Sequence, residues 1–141
     1  MKTIITTLVI ALVSLGSFRS FAGTIDDTKN TSPSSLVITN YLAAVSMGNF
    51  ENHKLSLTKD FEHYNVENDK KSNRRQYLAF LKKTKNLHYD CKTSYRILDE
   101  TSRTCMAKVI MEFDNFTRVD YITLCCHDDT WQISKVVTTY P

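Results

Sequence analysis

Apolar positions along the chain change their spacing near Leu87. Ahead of that point they recur mostly at helical intervals; beyond it they alternate. Ile38, Tyr41, Leu42 and Val45 fall at i, i+3, i+4 and i+7, which predicts an amphipathic helix. Ser34 or Ser35 is its expected N-cap, and Gly48 its expected stop. Asn49–Leu57 predicts a short second helix with Phe50 and Leu55 turned inward, and Phe61–Val66 alternates like a short strand. Asn68–Asn73 reads as a charged turn. Ser72 or Asn73 then caps a third helix, whose stripe is Tyr77, Phe80, Leu81 and Thr84. Four strands are expected after it, at about Leu87–Leu98, Thr104–Asp114, Arg118–Cys126 and Trp131–Thr139. The breaks between them are short and polar, so consecutive strands should pair as antiparallel hairpins. Helices followed by a long meander predict an α+β domain, with three N-terminal helices packed on a strongly curved antiparallel sheet.

The first segment changes which residues enter that domain. Lys2 precedes the uncharged apolar run Ile4–Leu15, and Ser20-Phe21-Ala22 offers the small residues that a signal peptidase reads. The run is short for a bilayer span. The expectation is therefore cleavage after Ala22, export to the periplasm or medium, and no stable membrane insertion. Residues 23–34, rich in Thr, Ser, Asp and Asn, read as a lead-in, and 35–141 as the domain. Without the first 22 of 141 residues the chain keeps 119, enough for one core.

Composition excludes several functions. With Lys2 and Arg19 removed, 16 basic residues face 15 acidic ones, which leaves no electrostatic footprint for nucleic acid. Beyond Ala22 only Gly23 and Gly48 are glycines, too few for a phosphate-cradling loop. The four cysteines, Cys91, Cys105, Cys125 and Cys126, form no Cys-x-x-Cys, and no two histidines stand at metal-ligand spacing. No metal and no cofactor is expected. Cys105 should lie across from Cys125 or Cys126, either as one cross-strand disulfide or as buried thiols. The basic run from Lys70 to Lys85 reads as the solvated face of the third helix.

The closing hairpin carries a resemblance. Asp120-Tyr121-Ile122-Thr123-Leu124 and the arm Trp131-x-Ile133-x-x-x-Val137, with Lys135, resemble the last strands of the nuclear transport factor 2-like superfamily. Within it, the putative lumazine-binding family is the match. Asn40-Tyr41-Leu42 before Gly48-Asn49-Phe50 resembles the family's first helix and turn, and Ala107-Lys108-Val109 the preceding strand. The resemblance implies a cone-shaped fold with an apolar interior. It also implies a pteridine-like ligand by name only, since the superfamily spans isomerases, dehydratases, cyclases and transport adaptors.

If Asp128-Asp129 is a two-residue loop, an unbroken register sets Leu124 opposite Ile133, Ile122 opposite Lys135 and Asp120 opposite Val137. Asp120 and Lys135 then become diagonal neighbours on one face, a candidate polar pair in an apolar cavity. Tyr41, Tyr95 and Trp131 complete the candidate ligand-binding set. No second isolated carboxylate occupies a core position, so the acid–base constellation of an isomerase is not legible. The expected function is an exported small-molecule-binding protein for a small hydrophobic or aromatic ligand. An isomerase, dehydratase or cyclase is one alternative, and a non-catalytic interaction domain the other. The opposite sheet face, with Val119, Tyr121, Thr123 and Cys125 of one strand and Gln132, Ser134, Val136 and Thr138 of the next, is the expected homodimer surface.

Overall fold

A computed structural model describes residues 32–49 and 55–141. The expected signal segment and most of the lead-in lie outside the described residues. So does most of the expected second helix, with Phe50 in it; its last position, Leu57, opens a strand. Two helices are described: α1 (Pro33–Ser46) and α2 (Arg74–Lys83).

Helix α1 is capped by Ser32, earlier than its apolar stripe suggests. The Ser32 hydroxyl accepts from the Ser35 N–H at 3.2 Å, and Pro33 takes the first turn, where its missing N–H costs nothing. Pro33 and Ser34 therefore belong to the helix and not to a lead-in. Ser34 is fully buried and its hydroxyl donates to Glu100. The stripe Ile38, Tyr41, Leu42 and Val45 faces the core. Helix α2 is held by a reciprocal cap: Gln76 N–H donates to the Asn73 side chain at 3.0 Å, and Asn73 N–H to the Gln76 side chain at 2.9 Å.

Gly48 stands at φ +60°, the left-handed conformation that closes a helix. Its carbonyl accepts from Asn86 N–H, and the Ser46 carbonyl accepts from Tyr89 N–H. The segment after α2 is therefore stitched to the end of α1. That is why Leu87–Cys91, expected to begin a strand, lies outside the sheet.

The six strands are β1 (Leu57–Asn65), β2 (Lys70–Asn73), β3 (Lys92–Glu100), β4 (Thr104–Glu112), β5 (Thr117–His127) and β6 (Thr130–Thr139). They form one sheet in the order β2-β1-β6-β5-β4-β3. The expected charged turn holds the short strand β2, which pairs back onto β1. The sheet is not wholly antiparallel: β1 runs parallel to β6. No hairpin joins these two strands, so no turn dictates their orientation. Asp128 and Asp129, at φ 47° and 58°, make the two-residue turn between β5 and β6.

One irregularity decides the site. The β5–β6 ladder pairs Leu124 with Ile133, but Thr123 with Lys135, so Ser134 is bulged out. From there every β6 side chain changes face. Lys135 points away from the helices, and Val136 and Thr138, expected on the outer dimer face, turn inward and are buried; Val119, expected there too, is also buried. The inner face packs Phe61, Ala107, Val109, Met111, Ile122, Leu124 and Val136 against Tyr41, Tyr77 and Leu81 of the helices. The four cysteines are unpaired, and Cys105 stands opposite Leu124, not opposite a cysteine.

A side chain at Gly48 would meet both strain and a wall. A Cβ there would stand 2.6 Å from the Thr84 carbonyl oxygen and 2.9 Å from Leu87 N. Gly48→Ala is expected to lower unfolding free energy by about 2 kcal/mol or more, measured by urea denaturation. A change within error would show that the junction of α1 with the α2–β3 segment does not constrain the fold.

Candidate functional site

The inner face of β5 carries a charged pair near the start of the strand. Arg118 and Asp120 are two residues apart on one strand and so project to the same side. Arg118 Nε donates to Asp120 Oδ1 at 3.0 Å, and Nη2 to Oδ2 at 2.9 Å. Asp120 has no exposed surface. Two further donors complete it: Thr138 Oγ1 to Oδ1 and Tyr41 Oη to Oδ2, both at 2.7 Å. Each carboxylate oxygen thus accepts two hydrogen bonds, the capacity of its lone pairs.

The proton positions behind these contacts follow by elimination. Thr138 has one O–H, which it gives to Asp120. It must therefore accept from His63 Nε2, 3.0 Å away. Tyr41 likewise gives its O–H to Asp120, so at 3.2 Å it accepts from Tyr77. His63 is the Nε2–H tautomer, and its Nδ1 carries no proton. Burial first, then the nearby Arg118 charge, lowers the His63 pKa to about 4, so the ring is neutral. Burial, with Asp120 beside it, holds the Tyr41 hydroxyl well above its usual pKa, and burial pushes Tyr77 up to about 12. Burial lowers the Arg118 pKa, but Asp120 together with Tyr41 and Tyr77 more than offsets it, so Arg118 is held above its ordinary value.

Two open pockets flank this network. One, of about 420 Å³, is lined by Phe80, Tyr89, Phe113, Phe116 and Tyr140, with Arg118 as its charged member. Phe113 and Phe116 stack there with centroids 4.3 Å apart. The other, of about 280 Å³, is bordered by His63, Tyr77 and Phe80 together with polar residues of β1, β2 and α2. Phe80 lines both. Among the described residues no group of three or more His, Cys, Asp or Glu side chains is placed to hold a metal ion.

The residues expected to share a cavity are dispersed. Asp120 and Tyr41 meet directly. Lys135 does not join them, because the Ser134 bulge sends it to the outer face, where it pairs with Glu62 at 3.3 Å. Thr138, not Val137, stands opposite Asp120. Tyr95 lies on the edge strand opposite Val109, more than a third exposed. Trp131 packs against the core opposite Cys126, away from both pockets. Arg118, Tyr77, His63 and Thr138 were not expected. Arg118 left a readable signal in its two-residue offset from Asp120, and Tyr77 in its place on the apolar stripe of its helix.

Solved structures share this fold. A putative ketosteroid isomerase from Shewanella frigidimarina matches with TM-score 0.61 and 18% identity over 77% of this chain and 96% of its own. An NTF2-like protein of unknown function from Silicibacter pomeroyi matches with TM-score 0.62 and 13% identity over 76% and 92%. One from Methylobacillus flagellatus reaches TM-score 0.59 and 20% identity over 84% and 94%. The chain therefore has the nuclear transport factor 2-like fold, in α+β form with two described helices on a six-stranded sheet. No protein-family model and no curated protein matches the sequence.

Two outcomes test the network. Asp120→Asn leaves the Arg118 guanidinium without its counter-charge, and stability should fall by about 3 kcal/mol or more. Arg118→Met added to that variant should recover part of the loss, because no buried charge then remains unpaired. Urea unfolding of both variants is the measurement, and a double variant weaker than the single one would refute the pairing. His63 sets a pH dependence. Its ring protonates near pH 6.5 when unfolded but only near 4 when folded. Between these values the unfolded chain binds more protons, so stability declines as pH falls through the window and levels off below it. In His63→Gln that acid limb should be shallower than in the parent.

Proposed function

We propose that the protein is an exported small-molecule-binding protein of the nuclear transport factor 2-like class, taking a small aromatic ligand in the pocket beside Arg118. The observation that carries this reading is the pocket lining: five aromatic rings and one guanidinium around about 420 Å³. That volume falls in the range of small-molecule sites, and such sites combine apolar walls with a few fixed polar groups. Arg118 is such a group. Asp120 engages its Nε and Nη2 and holds the guanidinium plane in place, with Nη1 outside the ion pair. Because the pair is neutral overall, a carbonyl oxygen of a planar ligand suits it as well as a carboxylate does. The putative lumazine-binding family remains the proposed subfamily on the strength of the closing hairpin, and a pteridinedione, planar and with two carbonyl oxygens, is of this chemical type.

Acid–base catalysis at Asp120 fits less well. A general base needs a lone pair facing its substrate. Asp120 is fully buried, and four protein donors occupy its oxygens. A second reading, compatible with the first, is pairing of two copies through the outer sheet face, where Met106 and Tyr121 are 47% and 40% exposed.

Native mass spectrometry of protein taken from its own host should reveal a copurified aromatic compound. Titration with 1-anilinonaphthalene-8-sulfonate supplies a probe: one saturable site is expected, weakened about fivefold by Phe116→Ala. Phe116 is nearly half exposed, so the variant should fold. Absence of saturation, or unchanged affinity in the variant, would reject the pocket as the site.

A further inference from the structure

The smaller pocket has a lining whose polarity is set by the backbone around it. Asn65 Oδ1 accepts from Glu67 N–H at 3.1 Å, Asn68 Oδ1 from Lys70 N–H at 3.2 Å, and Gln76 Oε1 from Asn73 N–H at 2.9 Å. A backbone N–H requires an oxygen acceptor, so these contacts fix how the three amides are turned. The carbonyl oxygens are held by the turn and the helix cap, and the remaining group on each side chain is its NH₂. All three residues line the pocket, as does Lys70. No carboxylate does. Glu67 and Asp69 flank Asn68 in the turn outside that lining, and Asp69 is engaged by the Tyr64 hydroxyl at 3.0 Å. Beside the donors stand the rings of Tyr77 and Phe80, and His63, whose ring lies 4.8 Å from that of Tyr77.

We propose that this pocket is a second binding site, specific for a small organic anion. Its carboxylate or phosphate would accept from Lys70 and from the amide N–H groups of Asn65, Asn68 and Gln76, while its apolar part lies against Tyr77 and Phe80. An anion is the matching class for two reasons. Three amide side chains and a lysine border the pocket, and a donor-bearing lining that includes no carboxylate favours negative charge. The local folding interactions also prevent the amides from flipping to offer oxygens instead. Neutral His63, tied through Nε2 to Thr138, keeps Nδ1 as an acceptor, so a ligand hydroxyl next to the anionic group would find a partner there. The site is chemically distinct from the aromatic pocket beside Arg118, whose charge Asp120 already balances. Phe80, a wall of both, is their one shared lining residue.

Side-chain NH₂ groups give separate signals in a ¹⁵N–¹H correlation spectrum, so the proposed contacts can be watched directly. Benzoate at millimolar concentration is the probe, and benzamide, its neutral analogue, the control. Benzoate should shift the NH₂ pairs of Asn65, Asn68 and Gln76, and benzamide should leave them in place. Lys70→Gln, an exposed substitution outside the core, should weaken benzoate binding about threefold. Phe116→Ala should leave it unchanged, which separates this site from the aromatic pocket. The proposal is overturned if benzoate moves none of the three pairs, if benzamide moves them equally, or if Lys70→Gln binds benzoate as the parent does.

Discussion

A carboxylate with no solvent contact has to have its charge balanced and its lone pairs filled from inside the protein, and Asp120 meets that demand from every layer of the fold. Arg118 comes from the same strand, Thr138 from β6 and Tyr41 from α1. At one remove, His63 of β1 supports Thr138, and Tyr77 of α2 supports Tyr41. Leaving any of these donors out would strand a buried acceptor, which costs more than a hydrogen bond normally contributes. The network is thus a set of distance constraints on two helices and three strands. It explains the bulge at Ser134. In an unbroken ladder Val137, which cannot donate, would face Asp120; the extra residue brings Thr138 there instead.

The same constraint shapes what the surface offers. Because all donors point toward Asp120, the protons on Thr138, Tyr41, Tyr77 and His63 are fixed in direction, and the network has no lone pair to spare for proton abstraction at its centre. The polar interior works as a scaffold. It sets the plane of the Arg118 guanidinium in one pocket and the tautomer of the His63 ring in the other.

Most of the secondary structure was legible in the chain because it rests on local physics. The i, i+3, i+4 stripes of α1 and α2, the Asn73 cap, the Gly48 stop and the Asp128-Asp129 turn all depend on residues near one another. The hairpin order from β3 to β6 follows from short polar breaks. Of the site, Asp120 was legible as an inward strand carboxylate, and Tyr41 and Tyr77 as core-facing helical tyrosines. Their partners were not. Lys135 was assigned to the cavity on the assumption of an unbroken register, and a single bulged residue reverses a strand's faces. His63 could not be connected to Thr138, 75 residues away, because nothing local announces that β1 pairs in parallel with β6.

By itself, then, the sequence determined most of the elements and their order, and features it lacks: glycines enough for a phosphate loop, histidines or cysteines at metal-ligand spacing, and, beyond Ala22, more than a single basic charge in excess. These are properties of composition and of near neighbours, and packing does not alter them. Only the tertiary structure decided which donors reach Asp120, which face Lys135 occupies, and which rings enclose Arg118. Those outcomes depend on register and on contacts between distant strands. There the desolvation of one buried carboxylate selects among registers that hydrophobic alternation alone leaves nearly equivalent.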